Sequence, residues 1–155
     1  MNVEIATLPA VRIAYLRHTG PYGAEIGAFW RKFNEACAKA GLQGTMYGIG
    51  HDDPTHTPAS ECRYDACIEI GADAAAPAGF QTARLPGGRY ALGEFRGTSA
   101  EMPEAWEQMH GHWLPKSNMQ LDARPMFELY RTSDTHDAAS GAFSCAICLA
   151  VAPLV

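Results

Sequence analysis

The chain has 155 residues, of which 47% are hydrophobic and 19% are charged, so it can bury a core as one domain and is too apolar to be disordered. Its 17 acidic residues outnumber its 12 basic ones, and the formal charge of −5 argues against direct binding to a nucleic-acid backbone. No apolar stretch approaches the roughly 20 residues that span a bilayer.

The N-terminus and the cysteines predict a cytoplasmic protein. Residues 1–4 have neither the basic nor the apolar region of a signal peptide. The five cysteines are an odd number in a chain that is large enough to fold without disulfide bridges. We therefore expect reduced thiols, a cytoplasmic location and no membrane partner.

The first half of the chain predicts a strand–strand–helix–strand–strand unit. Residues 3–7 and 8–20 have strand character, and Gly41 ends the helical segment between them and the later strands. The later strands are residues 46–50 and 64–70. The apolar stripe of the helix consists of Ile26, Phe29, Trp30, Phe33, Cys37 and Ala40.

The second half predicts the same order of elements. Strand-like residues 80–84 lead through Leu-Pro and Gly87-Gly88, which predicts a hairpin turn, into a second strand. The following helix begins at Thr98 or Ser99 and ends at Pro115. Its apolar stripe is Met102, Ala105, Trp106, Met109 and Trp113. Two strands follow, at residues 125–131 and 143–151.

An internal repeat relates the two halves. Leu8 to Gly20 and Leu85 to Gly97 share Leu, Pro, Arg, Ala and Gly in register, at a constant offset of 77 residues. We predict a single α+β domain, 1–155, with pseudo-symmetric halves of about 1–77 and 78–155. Its mainly antiparallel sheet carries two helices on one face, and a groove lies between the halves.

Glu128 is the candidate site residue that stands out from its strand. Alternation along residues 125–131 puts Glu128 and Tyr130 on one face of the sheet and Phe127 and Leu129 on the other. A carboxylate among aromatic rings would attract a cation through its charge and through the ring quadrupoles. The alternative is a solvated glutamate on an open strand.

The two halves of the repeat differ at the position of Glu128. Aligning Phe127 with Tyr47 places Gly48 at the position that Glu128 occupies in the other half. One half therefore supplies a carboxylate where the other supplies no side chain. This difference provides both an anion and space for a ligand.

Aromatic residues are the other ligand-binding candidates. Trp106 and Trp113 are seven apart on the second helix, so one of them could face the groove. Tyr130, Tyr64 and Tyr15 lie on strands whose alternating faces could form its floor. Since buried aromatic side chains are common, core packing is the alternative for each of them.

Metal and cofactor sites have little support. The Asp52–Asp53–Pro54 loop with His56 has carboxylates and imidazole, but its prolines and Asx residues favour a turn. Cys145 and Cys148 are three apart on a strand and so point to opposite faces. No phosphate-binding loop, dinucleotide fingerprint or serine-hydrolase elbow occurs. We expect no metal and no cofactor.

Several short stretches, in a fixed order, carry a family resemblance. They are Arg17-His18-Thr19-Gly20-Pro21-Tyr22, Asp52-Asp53-Pro54, Thr57-Pro58, Arg63-Tyr64-Asp65-Ala66-Cys67, Leu85-Pro86-Gly87-Gly88-Arg89-Tyr90-Ala91 and Phe127-Glu128-Leu129-Tyr130. In this set the chain resembles the gyrase-inhibitor (GyrI)-like superfamily, which includes the effector-binding domains of AraC-type and MerR-type multidrug regulators. The resemblance implies a duplicated fold with a pocket for lipophilic, often cationic, molecules. It also implies that Glu128 is the pocket glutamate.

The resemblance and the residues together predict a small-molecule binding protein. Because the family's DNA-binding helix-turn-helix is not seen, we expect a stand-alone module, monomeric or weakly dimeric, that takes up lipophilic aromatic cations. One alternative is a hydrolase of electrophilic genotoxins in the same pocket, with Glu128 as general base and Tyr130 or Tyr64 orienting a water molecule. Another is an interaction protein that modulates DNA gyrase. Binding is favoured over catalysis.

Overall fold

The structure is a computed structural model that describes all residues, Met1–Val155. The chain is α+β, with two α-helices and nine strands whose pairing is antiparallel. The helices are α1 (Ala24–Lys39) and α2 (Met102–Glu107). The strands are β1 (Val3–Leu8), β2 (Val11–Thr19), β3 (Met46–Gly50), β4 (Arg63–Ile70), β5 (Gln81–Leu85), β6 (Gly88–Gly97), β7 (Met119–Leu121), β8 (Phe127–Tyr130) and β9 (Phe143–Pro153). Neither helix has the length and apolarity to cross a membrane.

The chain forms two compact units, and we call the continuous one, Val11–Leu85, unit 2. Its strands are ordered β3-β4-β2-β5. Helix α1 packs on one face of this sheet. The buried side chains of that core are Ala14, Phe33, Cys37, Ala66, Ile68 and Ile70.

Helix α1 confirms the helix predicted from the apolar stripe. Phe33 and Cys37 are its buried residues, and both belong to the predicted stripe. Ala40 is the C-cap. Gly41 follows in the left-handed region at φ 71°, where glycine bears no Cβ penalty, so the helix ends where predicted.

Unit 1 consists of Met1–Ala10 and Pro86–Val155. Its strands are ordered β1-β6-β9-β8, and the short strand β7, which the sequence did not predict, pairs with the far end of β9. Strand β9 has neighbours on both sides and is buried along most of its length. The buried core comprises Ala91, Phe95, Ala105, Met109, Cys145, Ile147, Leu149 and Val151.

The second helical segment is less regular than predicted. It begins at Thr98, as expected, and the backbone N–H of Thr98 donates to the Glu101 carboxylate at 3.0 Å. After α2 the chain widens into a π-helical turn over Gln108–Trp113, then tightens into a 3₁₀ turn over Leu114–Lys116. Pro115 lies inside that last turn, so the segment runs slightly past the predicted end. A proline ring would clash with the carbonyl four residues earlier in a regular α-helix, which accounts for the distortion.

The strand ladders confirm the internal repeat. Tyr47 pairs with Cys67 in unit 2, and its repeat partner Phe127 pairs with Cys148 in unit 1. Each of the three steps of the β8–β9 ladder has its counterpart in the β3–β4 ladder at the same register. Gly48 and Glu128 are therefore equivalent positions, as the sequence alignment predicted.

The hairpin predicted at Gly87-Gly88 is wrong. Strand β5 pairs with β2 in unit 2, whereas β6 pairs with β1 in unit 1, so the strands before and after these glycines do not pair with each other. Turn residues specify a change of chain direction and not the strand that is paired. Gly87 is needed here for close approach: at φ 73°, a Cβ would lie 2.6 Å from both Leu8 O and Ala10 N.

We expect Gly87→Ala to destabilise the protein more than Gly141→Ala does. Both glycines have φ near 75°, but a Cβ at Gly141 would meet nothing within 4 Å. Each variant loses roughly 1–2 kcal/mol to left-handed strain, and Gly87→Ala loses about 1–3 kcal/mol more to the backbone clash. Urea unfolding followed by circular dichroism measures the difference, and equal losses would contradict the close packing.

Candidate functional site

Glu128 lies in the middle of β8 on the face that carries α2. Phe127 and Leu129 are buried on the other face, as the predicted alternation required. The ladder partner of Glu128 is Ile147, a member of the core beneath α2. The carboxylate therefore points toward the helical side of unit 1.

Two arginines fix the ends of β8. Before the strand, the Arg124 guanidinium donates to Arg89 O at 2.8 Å and lies 4.8 Å from the centre of the Tyr90 ring. The hydroxyl of Tyr90 in turn donates to Pro125 O at 2.7 Å. These contacts tie the start of β8 to β6 and so help to set its register.

Arg131 holds the other end of β8. Its guanidinium pairs with Glu94 on β6 at 2.6 Å and with Asp134 at 2.8 Å. Hydrogen bonds to these carboxylates raise the pKa of Arg131. Burial alone would raise the pKa of Asp134, but hydrogen bonds from Arg131 and Ser144 lower it. The strand that carries Glu128 is thus anchored at both of its ends.

Each carboxylate oxygen of Glu128 accepts a hydrogen bond from an aromatic side chain. The indole Nε1–H of Trp106, on α2, donates to Oε2 at 3.3 Å. The hydroxyl of Tyr130, two residues along β8, donates to Oε1 at 3.1 Å. The structure therefore brings together three of the predicted site residues as an oriented carboxylate between an indole and a phenol.

Apolar side chains surround this group. Tyr130 packs against Phe143 with ring centroids 6.1 Å apart, and Phe143 packs against Phe95 at 5.5 Å. Beneath them lies Cys145, which is fully buried. Burial raises the pKa of the Cys145 thiol, and the negative charge of Glu128 raises it further. Glu128 thus acts electrostatically on a mainly apolar environment.

Trp113 lies on the π-helical turn and packs, half-buried, against the same core as Trp106. In this turn the backbone N–H of Leu114 donates to Met109 O, five residues earlier. The extra residue in the turn changes the direction of Trp113 relative to a regular helix. The spacing of seven residues could not predict this change.

The remaining predicted ligand residues, Tyr64 and Tyr15, lie in unit 2 on opposite faces of its sheet. Tyr64 is buried on the α1 side, and its hydroxyl accepts the Trp30 indole N–H at 3.1 Å. Tyr15 is half-buried on the other side, with the Arg17 guanidinium 5.9 Å from its ring centre. Their role in ligand binding stays a prediction.

A buried ion cluster in unit 2 was not predicted from the sequence. Asp65 is only 4% exposed, and it accepts hydrogen bonds from Arg17 at 2.8 Å and from His51 at 2.6 Å. Asp65 lies within the mainly apolar strand β4, and a charged residue in such a strand is the signal from which the cluster could have been found. Since each charged group has a partner, the cluster fastens the end of β3 to β2 and β4.

The loop after β3 has the turn chemistry that was predicted for it. The Asp53 carboxylate accepts hydrogen bonds from the Thr55 backbone at 2.9 Å and from its hydroxyl at 2.7 Å, and these bonds lower the pKa of Asp53 to about 2. Asp52 pairs with Arg63 at 3.0 Å. No three His, Cys, Asp or Glu side chains are grouped so that they could hold a metal ion.

Comparison with known proteins identifies relatives along almost the whole chain. Residues 1–152 match the family described as the GyrI-like small molecule binding domain. The SPbeta prophage-derived protein YosT of Bacillus subtilis (strain 168) is 32% identical over 144 residues, which cover 88% of this chain and 94% of YosT. A DNA gyrase inhibitor of Erwinia billingiae (strain Eb661) is 27% identical over 133 residues, covering 84% of this chain and 86% of the inhibitor.

Solved structures show the same fold at low sequence identity. The C-terminal domain of EcmrR superposes with a TM-score of 0.77 at 12% identity, covering 99% of this chain and 98% of that domain. SAV2435, solved bound to tetraphenylphosphonium, gives a TM-score of 0.62 at 16% identity, covering 96% and 94% of the two chains.

We expect Trp106→Phe to lower the free energy of unfolding more than Trp30→Phe. Both changes remove an indole N–H and a similar amount of apolar surface, but Trp106 donates to a carboxylate and Trp30 to a phenol. A hydrogen bond to a charged group contributes about 1.5–3 kcal/mol, against about 0.5–1.5 kcal/mol for a neutral one. Urea unfolding of both variants measures the difference, and a greater loss in Trp30→Phe would contradict this assignment.

Proposed function

Because the chain belongs to the GyrI-like small molecule binding family, we propose that it binds lipophilic aromatic cations, with Glu128 as the counter-charge. The observation that carries the proposal is the pair of hydrogen bonds from Trp106 and Tyr130 to the two oxygens of Glu128. They hold the carboxylate in one orientation before a ligand arrives. Less conformational entropy is then lost on binding.

Magnitudes favour charge as the source of selectivity. A cation 4 Å from a carboxylate gains about 4 kcal/mol at an effective dielectric constant of 20. Partial exposure of Glu128 reduces this value. A cation over an aromatic face gains about 0.5–2 kcal/mol. Rings therefore supply affinity for any aromatic ligand, whereas Glu128 separates cations from neutral molecules.

The similarity to SAV2435 supports the ligand class. That protein was solved bound to tetraphenylphosphonium, a permanent lipophilic cation. Its low identity to this chain transfers the fold alone, so the argument for a cation rests on Glu128 and its two aromatic donors. We also propose that binding occurs in the cytoplasm, which the five unpaired cysteines favour, and that the chain acts as a monomer or weak dimer.

We expect Glu128→Gln to weaken binding of tetraphenylphosphonium at least about tenfold, since a loss of 1.4 kcal/mol changes Kd by that factor. Binding of the neutral analogue triphenylphosphine oxide should change by less than about threefold, because the glutamine keeps the shape and one of the two acceptor oxygens. Isothermal titration calorimetry measures both ligands.

The control is Glu104→Gln, which removes one negative charge from an exposed position on α2. It should leave both affinities unchanged and so separates the local charge from the net charge. Equal losses for the cation and the neutral analogue in Glu128→Gln would contradict the charge-pairing role.

Hydrolysis is a second candidate, and the contact between Tyr130 and Glu128 favours it. The carboxylate could take a proton from a water molecule while the phenol orients it. Mass spectrometry after incubation distinguishes the two functions, because a binding protein returns electrophilic compounds unchanged. A product whose formation stops in Glu128→Gln would establish the enzyme.

Interaction with DNA gyrase is supported by the name of the Erwinia billingiae relative. A supercoiling assay with purified gyrase and increasing amounts of this protein tests it directly. No change in supercoiling would exclude this function.

A further inference from the structure

The two units satisfy equivalent indole N–H groups with different acceptors. The helical stripes align at an offset of 76 residues, which pairs Trp30 with Trp106 and the fully buried Phe33 with the fully buried Met109. Trp30 donates to the phenol of Tyr64 at 3.1 Å, whereas Trp106 donates to the carboxylate of Glu128 at 3.3 Å. The same donor therefore has a neutral acceptor in one unit and a charged one in the other.

The strand ladders show where the acceptors differ. In unit 2, Tyr64 on β4 lies opposite Gly50 on β3 and also pairs with His18 on β2. In the repeat, the residue of unit 1 that is equivalent to Tyr64 is Cys145. Cys145 pairs with Phe95, which is the repeat partner of His18. Unit 2 thus has a phenol on β4 where unit 1 has a small thiol on β9.

The neighbouring strands β3 and β8 show the opposite distribution. Gly48 and Gly50 on β3 have no side chains, whereas the equivalent residues on β8 are Glu128 and Tyr130. Leu129 pairs with Ala146, so the next residue, Tyr130, lies beside Cys145. The phenol therefore lies on β4 in unit 2 but on β8, and not on the equivalent strand β9, in unit 1, where a carboxylate accompanies it.

We propose that the ladder position held by Cys145 in unit 1 and Tyr64 in unit 2 determines the charge preference of the ligand site. A small residue there leaves space for Glu128 and Tyr130 above it and leaves the carboxylate as the acceptor for Trp106. A tyrosine there supplies a neutral acceptor, and in unit 2 the neighbouring strand β3 carries glycines at the two equivalent positions. Cys145 is therefore a specificity-determining residue that acts through Glu128.

The electrostatics of the site agree with this coupling. Cys145 is fully buried in the core that Trp106 packs against, and the charge of Glu128 contributes to the raised pKa of its thiol. A ring introduced at position 145 would therefore lie close to both Trp106 and Glu128. This inference rests on the proposed function, and it adds that unit 1 discriminates by charge while the equivalent position in unit 2 is neutral.

The test compares Cys145→Tyr with Cys145→Phe, which differ only by the hydroxyl. The readout is the ratio of the Kd for triphenylphosphine oxide to the Kd for tetraphenylphosphonium. The added ring reduces both affinities in both variants, so the ratio isolates the acceptor. We expect the ratio to fall about tenfold in Cys145→Tyr and to stay within about threefold of wild type in Cys145→Phe. An unchanged ratio in Cys145→Tyr, or an equal fall in both variants, would overturn the proposal.

A stability measurement covers the case in which Cys145→Tyr does not fold. The double variant Cys145→Tyr/Glu128→Gly reproduces the pair that unit 2 accommodates as Tyr64 and Gly48. The double variant should fold where Cys145→Tyr does not, or melt at a higher Tm where both fold, because removal of the glutamate makes space for the ring. A double variant that is no more stable than the single one would contradict the proposal that a tyrosine at position 145 and a glutamate at position 128 compete for the same space.

The wild-type protein separates this inference from the proposed function. If wild type shows no preference for the cation over the neutral analogue, the proposed function fails. The stability comparison still tests whether a tyrosine at position 145 competes for space with a glutamate at position 128. If wild type shows the preference and Glu128→Gln removes it, but Cys145→Tyr keeps it, the inference fails alone.

Discussion

The pairing of β8 with β9 is the constraint on which the candidate site depends. Because side chains alternate along a strand, a slip of one residue would bury Glu128 and Tyr130 and turn Phe127 and Leu129 toward the helix. Salt bridges from Arg131 and hydrogen bonds from Arg124 fix the strand at its two ends. The hydrogen bonds from Trp106 and Tyr130 then orient the carboxylate under α2.

Duplication explains both the fold and the chemistry. Each unit needs a helix and a sheet to bury one core, and the repeat supplies this arrangement twice. Both cores form although individual ladder positions differ between the units. The difference between Gly48 and Glu128 gives unit 1 an anion, and the difference between Tyr64 and Cys145 accompanies it. The charge of the site is a local departure from a shared scaffold.

Sequence periodicity was sufficient to predict helix α1 and the sheet face on which each side chain around Glu128 lies, since both depend on local spacing. It could not predict that β1 and β5 pair away from their neighbours in sequence, because turn residues do not specify a pairing partner. The hydrogen bond from Trp106 to Glu128 joins residues 22 apart, and the Asp65 cluster joins three elements. Contacts of that kind depend on tertiary packing, which no local pattern encodes.

The central claim is that the positive charge of a ligand lies against Glu128. A crystal structure of the wild-type protein with tetraphenylphosphonium measures this most directly. The account predicts that the phosphonium centre lies beside the Glu128 carboxylate, with phenyl groups in contact with Trp106 or Tyr130. Clear density for the ligand at a place remote from Glu128, in a crystal where the site is open to solvent, would contradict it.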